Sequence, residues 1–187
     1  MTNPPSHATH SHKTPSSDLS APSSTRILGI DPGLQITGYG IVDLLPNQLE
    51  PVLIEAGVFK FSSKHSVESR LVSLYDDVTS LITELKPQEL AIEKLYAHYK
   101  HPNTAIIMGH ARGTILLAAK QHNLTINHLA ANEVKKSVTG YGHASKSQMQ
   151  LAVQSQCNLP QLPEPPDVAD AIAVALTHAR RRAFENL

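Results

Sequence analysis

The chain of 187 residues has one cysteine, no tryptophan and only three phenylalanines, and its lysines and arginines number the same as its aspartates and glutamates. A single thiol, Cys157, cannot close an intrachain disulfide, so a disulfide-stapled scaffold is excluded. No apolar run approaches the roughly 20 residues that span a bilayer, so no membrane partner is expected. The balanced charge rules out a surface coated with basic residues. It does not rule out a local basic surface, because the charge is segregated: residues 1–93 carry 6 basic and 11 acidic side chains, residues 94–187 carry 10 and 5. A chain divided in this way can still grip nucleic acid with one face.

Core-forming residues are scarce at the start. Residues 1–25 contain seven Ser, four Thr and four Pro, and Leu19 is the only large aliphatic residue after Met1. Such a segment cannot offset the entropy of ordering its backbone and is expected to be a disordered tail. It lacks the apolar stretch of a secretory signal and the arginines of a transit peptide, which points to a cytoplasmic protein. Its histidines, His7, His10 and His12, have no fold to fix them around a metal. The folded unit is expected to be residues 26–187.

Within that unit, Arg26-Ile-Leu-Gly-Ile-Asp31 is a short apolar run closed by Pro32-Gly33, the pattern of a buried strand and a turn. Residues 37–45 and 49–61 read as two further strands on short connections, giving an antiparallel meander. Leu71, Leu74, Tyr75, Val78, Leu81, Ile82 and Leu85 recur at helical steps up to Pro87. Leu90-Ala-Ile-Glu93 is another short strand. An amphipathic helix over about 103–121 and a strand over about 124–130 follow. Asn132 is placed to cap a short helix to Val138, Gly140-Tyr-Gly142 breaks it, and 146–157 is helical again. A proline-rich linker then leads into a last helix over about 167–184. Three antiparallel strands followed by α-β-α-β-α predict an α/β fold whose mixed five-stranded sheet is flanked by helices.

The chemistry-bearing pattern is carboxylate. Two buried strands end in an acid, at Asp31 and at Glu93; Asp167 and Asp170 lie on one face of the last helix. Each alone has a structural reading: Asp31 as turn former, Glu93 as strand-end surface acid, Asp167 as helix cap, Asp170 as partner of the helix dipole. If the first and fourth strands lie side by side, however, all four converge. Four carboxylates together are tolerable only with divalent cations between them, and hard oxygen ligands suit Mg²⁺, with Mn²⁺ as a substitute. Two such ions would activate water and stabilise the leaving oxygen in phosphodiester hydrolysis.

These residues resemble a known family, the RuvC Holliday junction resolvases, within the ribonuclease H-like nucleases. The resemblance runs from Arg26 to about Arg180 and rests on Gly29-Ile-Asp-Pro-Gly33, Thr37-Gly-Tyr-Gly40, Ala91-Ile-Glu93, Gly109-His-Ala-Arg-Gly113, Val134-Lys135 with Gly140-Tyr-Gly142 and Lys146-Ser-Gln148, and Asp167-Val-Ala-Asp-Ala171. It implies a ribonuclease H-like fold and a homodimer making paired symmetric nicks in four-way junction DNA during recombination and repair. It also implies a RuvA–RuvB branch-migration complex as partner. The metal-binding catalytic set would be Asp31, Glu93, Asp167 and Asp170, holding two ions, with Lys135 and Lys146 gripping the scissile phosphate. Tyr96 matches an aromatic that stacks on junction bases, and Arg112 is a candidate phosphate contact, with cover for apolar surface as its alternative. His110 stands where the family usually has Gln, and residues 97–108 run slightly longer than the family pattern, which affects His98, Lys100 and His101.

Two competitors share part of this pattern. An actin-like or sugar-kinase ATPase also opens with a strand, an Asp and a Gly-bearing turn, but needs a second phosphate loop and a duplicated half that this chain is too short to hold. A non-catalytic junction-binding module has no need of four acids beside a basic surface.

Overall fold

The computed structural model describes residues 24–95 and 102–185. Among these residues five strands and five helices follow one another: β1 Thr25–Asp31, β2 Ile36–Leu44, β3 Val52–Lys60, α1 Val67–Leu85, β4 Glu89–Glu93, α2 Pro102–Gln121, β5 Thr125–Leu129, α3 Ala131–Thr139, α4 Lys146–Gln156 and α5 Pro166–Glu185. They form one sheet in the order β3-β2-β1-β4-β5. β1 pairs antiparallel with β2, and β2 with β3; β1 pairs parallel with β4, and β4 with β5. The mixed five-stranded sheet flanked by helices is thus present, with the first strand beside the fourth. No helix among the described residues is long and apolar enough to cross a membrane.

Strand periodicity divides the core in two. On one face, Leu28 and Ile30 of β1 and Leu90 and Ile92 of β4 pack with α1 and α2 through Leu74, Val78, Ala111 and Ile115. On the other, Ile27 of β1 and Ala91 of β4 pack with α3, α4 and α5 through Val134, Val153 and Ile172. Asp31 and Glu93 have the parity of Ile27 and Ala91, so both acids face the α5 side. Glycine lets α5 approach: a Cβ on Gly29 would lie 2.6 Å from the backbone nitrogen of Ala175, and one on Gly40 would lie 3.0 Å from Ile172 Cα. Helix α5 is correspondingly buried from Val168 through Ala179 on most of its circumference.

Four local expectations are corrected. Helix α1 begins at Val67, a turn earlier than its apolar repeat, because Ser66 caps it by accepting from the Ser69 amide. Helix α2 is not amphipathic: it buries Ala111, Ile115, Ala118 and Ala119 but leaves Ile106 and Leu117 more than half exposed. Asn132 is not the cap of α3. Ala130 holds that position, Glu133 reaches back to its amide at 3.5 Å, and the Asn132 side chain accepts from the Glu133 amide at 2.9 Å. Strand β1 also begins at Thr25, one position before the expected boundary.

Candidate active site

Parallel pairing sets the first half of the site. Ile30 stands opposite Ile92 in the β1/β4 ladder, so Asp31 and Glu93 follow side by side where the two strands end. Helix α5 supplies the second half. Its carboxyl-terminal part meets the start of β4, where His178 Nε2 and Arg182 Nη1 lie 2.6 and 2.7 Å from the Glu89 carboxylate. Its amino-terminal part therefore reaches the ends of β1 and β4, bringing Asp167 and Asp170 to the strand-end acids. Pro166 is the first residue of α5 and Asp167 the second, so Asp167 sits inside the first turn and is not the cap.

A pair of short helices brings the cations. Lys135 is on α3, which ends at Gly140 in the left-handed region (φ 76°). Lys146 opens α4, fixed by a reciprocal capping box: Ser145 Oγ accepts from the Gln148 amide at 3.3 Å, and Gln148 Oε1 accepts from the Ser145 amide at 2.8 Å. Asp31, Glu93, Asp167, Asp170, Lys135 and Lys146 all line one cavity of about 420 Å³, floored by Pro32, Met108, Val134 and Met149 among others. Six side chains singled out from the sequence thus share a single concavity.

The electrostatics are those of crowded acids. Burial, then Asp170, Asp167 and Glu93 in that order, push Asp31 up to about 8, against a smaller opposing pull from Lys146. Glu93 is raised by burial and by Asp170, offset in part by Lys135. Asp170 is raised chiefly by burial and also by Asp167, with Lys146 and Lys135 opposing. The lysines are too few to neutralise the acids. Among the described residues, no three His, Cys, Asp or Glu groups already stand close enough to cage an ion; the four acids share a cavity and repel across it.

Arg112 is outside that cavity. It is half-buried on α2, donating through Nε to the Glu93 carbonyl at 3.2 Å and through Nη2 to His128 Nδ1 on β5 at 2.7 Å. Burial lowers its pKa, and burial, Arg112 and Lys94 lower that of His128. The guanidinium therefore ties the carboxyl-terminal end of β4 to β5. Tyr96, His98, Lys100 and His101 lie outside the described residues.

A sequence profile described as crossover junction endodeoxyribonuclease RuvC matches residues 27–178. The chain belongs to the RuvC family. Curated members are similar over most of their length: the RuvC of Rhodopirellula baltica is 44% identical over 154 residues, covering 82% of this chain and 85% of that protein. That of Caldicellulosiruptor saccharolyticus is 44% identical over 153 residues, covering 82% and 91%. Among solved structures, Thermus thermophilus RuvC in complex with Holliday junction substrate superposes with a TM-score of 0.78 at 28% identity, covering 86% of this chain and 96% of that one. The yeast mitochondrial Holliday junction resolvase, at 14% identity and a TM-score of 0.57, shares the fold. RuvC membership makes the chain a crossover junction endodeoxyribonuclease with the ribonuclease H-like architecture that the resemblance implied.

Proposed function

We propose that this chain resolves four-way DNA junctions by metal-dependent hydrolysis at the cavity formed by Asp31, Glu93, Asp167 and Asp170. One observation carries the reading: four carboxylates and two lysines from five separate elements line the same cavity. Such a donor set fits hard divalent cations. It is all oxygen, it holds more negative charge than its lysines offset, and the burial and mutual repulsion that raise Asp31 are what a bound cation would offset. Mg²⁺ is the cation proposed, as two ions per site, with Mn²⁺ as a substitute. A divalent cation bound there supplies an activated water and charge compensation for the leaving oxygen.

The protein's own groups do the rest. Asp31, Glu93 and Asp170 would hold the metal, and Asp167, in the first turn of α5, would orient the attacking water. Lys135 and Lys146 face the acids from α3 and α4 and are assigned to the scissile phosphate, holding it against the carboxylates' repulsion and countering the charge that grows during attack. Tyr96 is assigned to base stacking from the resemblance alone. Arg112 is better placed to brace Glu93 than to reach phosphate, since two of its nitrogens are already held by the Glu93 carbonyl and His128.

A four-way junction has near two-fold symmetry, and a homodimer would present two such cavities to opposing strands. Helix α2 offers a face for it: Ile106 and Leu117 are 57% and 55% exposed, and open space lies over Gly109 and Gly113 between them. A cytoplasmic location and a RuvA–RuvB partner complete this reading. The test is cleavage of a synthetic mobile junction in Mg²⁺, Mn²⁺ or chelator, with the nicks mapped. Paired nicks at symmetric positions that vanish with chelator support it; shifting without cutting indicates a binding module.

A further inference from the structure

A second cavity, of about 620 Å³, opens beside the acidic one and shares Gly33, Ile36, Met108 and Asp167 with it. Arg70, in the first turns of α1, lines this cavity and is only 9% exposed. Its Nη1 donates to the Leu34 carbonyl in the β1–β2 connection at 3.1 Å. Its Nε is buried without a hydrogen-bond partner among the described residues. The Nε atoms of Arg181 and Arg182 are buried without a hydrogen-bond partner as well, but every other described arginine has a counter-charge or two acceptors. Arg26 is paired with Asp43, Arg180 with Glu50, Arg181 with Glu133 and Arg182 with Glu89, while Arg112 is held by a carbonyl and His128. Arg70 forms no ion pair with any described residue, although Asp167 lines the same cavity.

A guanidinium does not give up its proton to escape such a position, and a buried charge without a counter-charge is strongly unfavourable. An anion in the cavity would compensate it. The cavity adjoins the acids on the side of Asp167, and the hydroxyl-bearing Ser63 and Thr104 also line it. We propose that Arg70 receives a second backbone phosphate of the bound DNA, flanking the scissile phosphate on the cut strand. The planar fork of Arg suits phosphate oxygens, and the tether to Leu34 orients it before DNA arrives. The proposal rests on the acidic cavity being the cutting site. It gives the cut strand a direction, from the acids past Gly33 and Asp167 toward α1.

The competing role is a strut that only holds the β1–β2 connection through Leu34. Binding of the full chain to a synthetic four-way junction, measured by fluorescence anisotropy in chelator across a KCl series, separates the two. R70M is expected to bind about tenfold more weakly and to flatten the slope of log K against log salt by about 1, as loss of one phosphate contact requires, whereas R70K keeps the slope. A single methylphosphonate beside the cut site should weaken binding by the wild-type chain and add nothing to the defect of R70M. Wild-type affinity and slope in R70M, or equal methylphosphonate penalties in both proteins, overturn the proposal. Where R70M does not fold, the wild-type chain decides: indifference to every methylphosphonate flanking the cut site overturns it too. Failure of the underlying reading is recognised separately, by a wild-type chain that leaves the junction uncut in Mg²⁺ and Mn²⁺.

Discussion

A Cβ on Gly38 would strike the carbonyl oxygen of Asp167, so β2 and the first turn of α5 meet backbone to backbone. Gly38 is also the partner of Asp31 in the β1/β2 ladder. One glycine therefore sets the spacing between a strand-end acid and a helix-start acid. The Gly38→Ala variant is expected to lose about 1–3 kcal/mol of stability by overpacking. It should also cut junctions at least tenfold more slowly per folded molecule. Gly40→Ala, whose Cβ would meet Ile172 at 3.0 Å, should be milder on cutting because it lies a step away from the acids. Chemical unfolding beside single-turnover cleavage checks both.

Without divalent cation, the acids should make stability fall as pH rises. Asp31 has a folded-state pKa of about 8 against an ordinary value of 3.8, so between those values the folded chain binds a proton that the unfolded chain has released. Its stabilising effect is complete below the unfolded value and is lost progressively up to about pH 8. Glu93 and Asp170 are raised as well and act in the same direction. The stability of Asp31→Asn relative to wild type should therefore increase from pH 4 to pH 8 in urea titrations with chelator. A constant difference across that range would contradict the crowding of these acids.

Asp167 separates a helix-dipole role from a metal role. It lies inside the first turn of α5, where Asn loses a favourable interaction with the dipole worth about 0.3–1 kcal/mol but relieves repulsion from the neighbouring acids. Asp167→Asn should thus change metal-free stability little or raise it, gain less from Mg²⁺ than wild type does, and cut slower by orders of magnitude. Thermal melts with and without Mg²⁺, run beside single-turnover cleavage, test this. An unchanged Mg²⁺ response with unchanged cutting leaves Asp167 without a part in the metal site.

Arg112 is expected to act through Glu93. Arg112→Gln removes the donor to the Glu93 carbonyl and the partner of His128, which should lower stability by about 1–3 kcal/mol and slow cutting. Junction affinity in chelator, and its salt dependence, should stay near wild type. A lowered salt slope in gel shifts would return Arg112 to the phosphate-contact role.

The strand-end acids were legible because local signals mark them: a short apolar run that ends in a carboxylate, followed at Asp31 by a turn. That β1 lies beside β4 was only a condition in the sequence, and the parallel ladder meets it. What the sequence conceals is pairing over distance. His178 and Glu89 are 89 positions apart, and nothing local shows that the buried carboxylate accepts from His178 and from Asn127 and also pairs with Arg182. Arg112 looked equally suited to phosphate or to apolar cover until His128 and the Glu93 carbonyl were seen beside it. Arg70 stands between the exposed Ser69 and the core-packed Leu71, and nothing local shows that its Nη1 reaches the Leu34 carbonyl in the β1–β2 connection. The cap was expected two residues late, at Asn132, because Asn is a good capping residue whereas Ala130, which holds the cap geometry, has no side chain that would mark it.

The central claim, that the carboxylate cavity cuts the junction, is tested most directly at Asp31, the acid most strongly perturbed by the others. Junction binding and single-turnover cleavage by Asp31→Asn are measured at saturating Mg²⁺ beside wild type. Loss of nicking with binding retained or tightened is the predicted result, since the change removes a metal ligand and a charge that repels phosphate. Substantial nicking by the variant would contradict the assignment of this cavity as the catalytic centre.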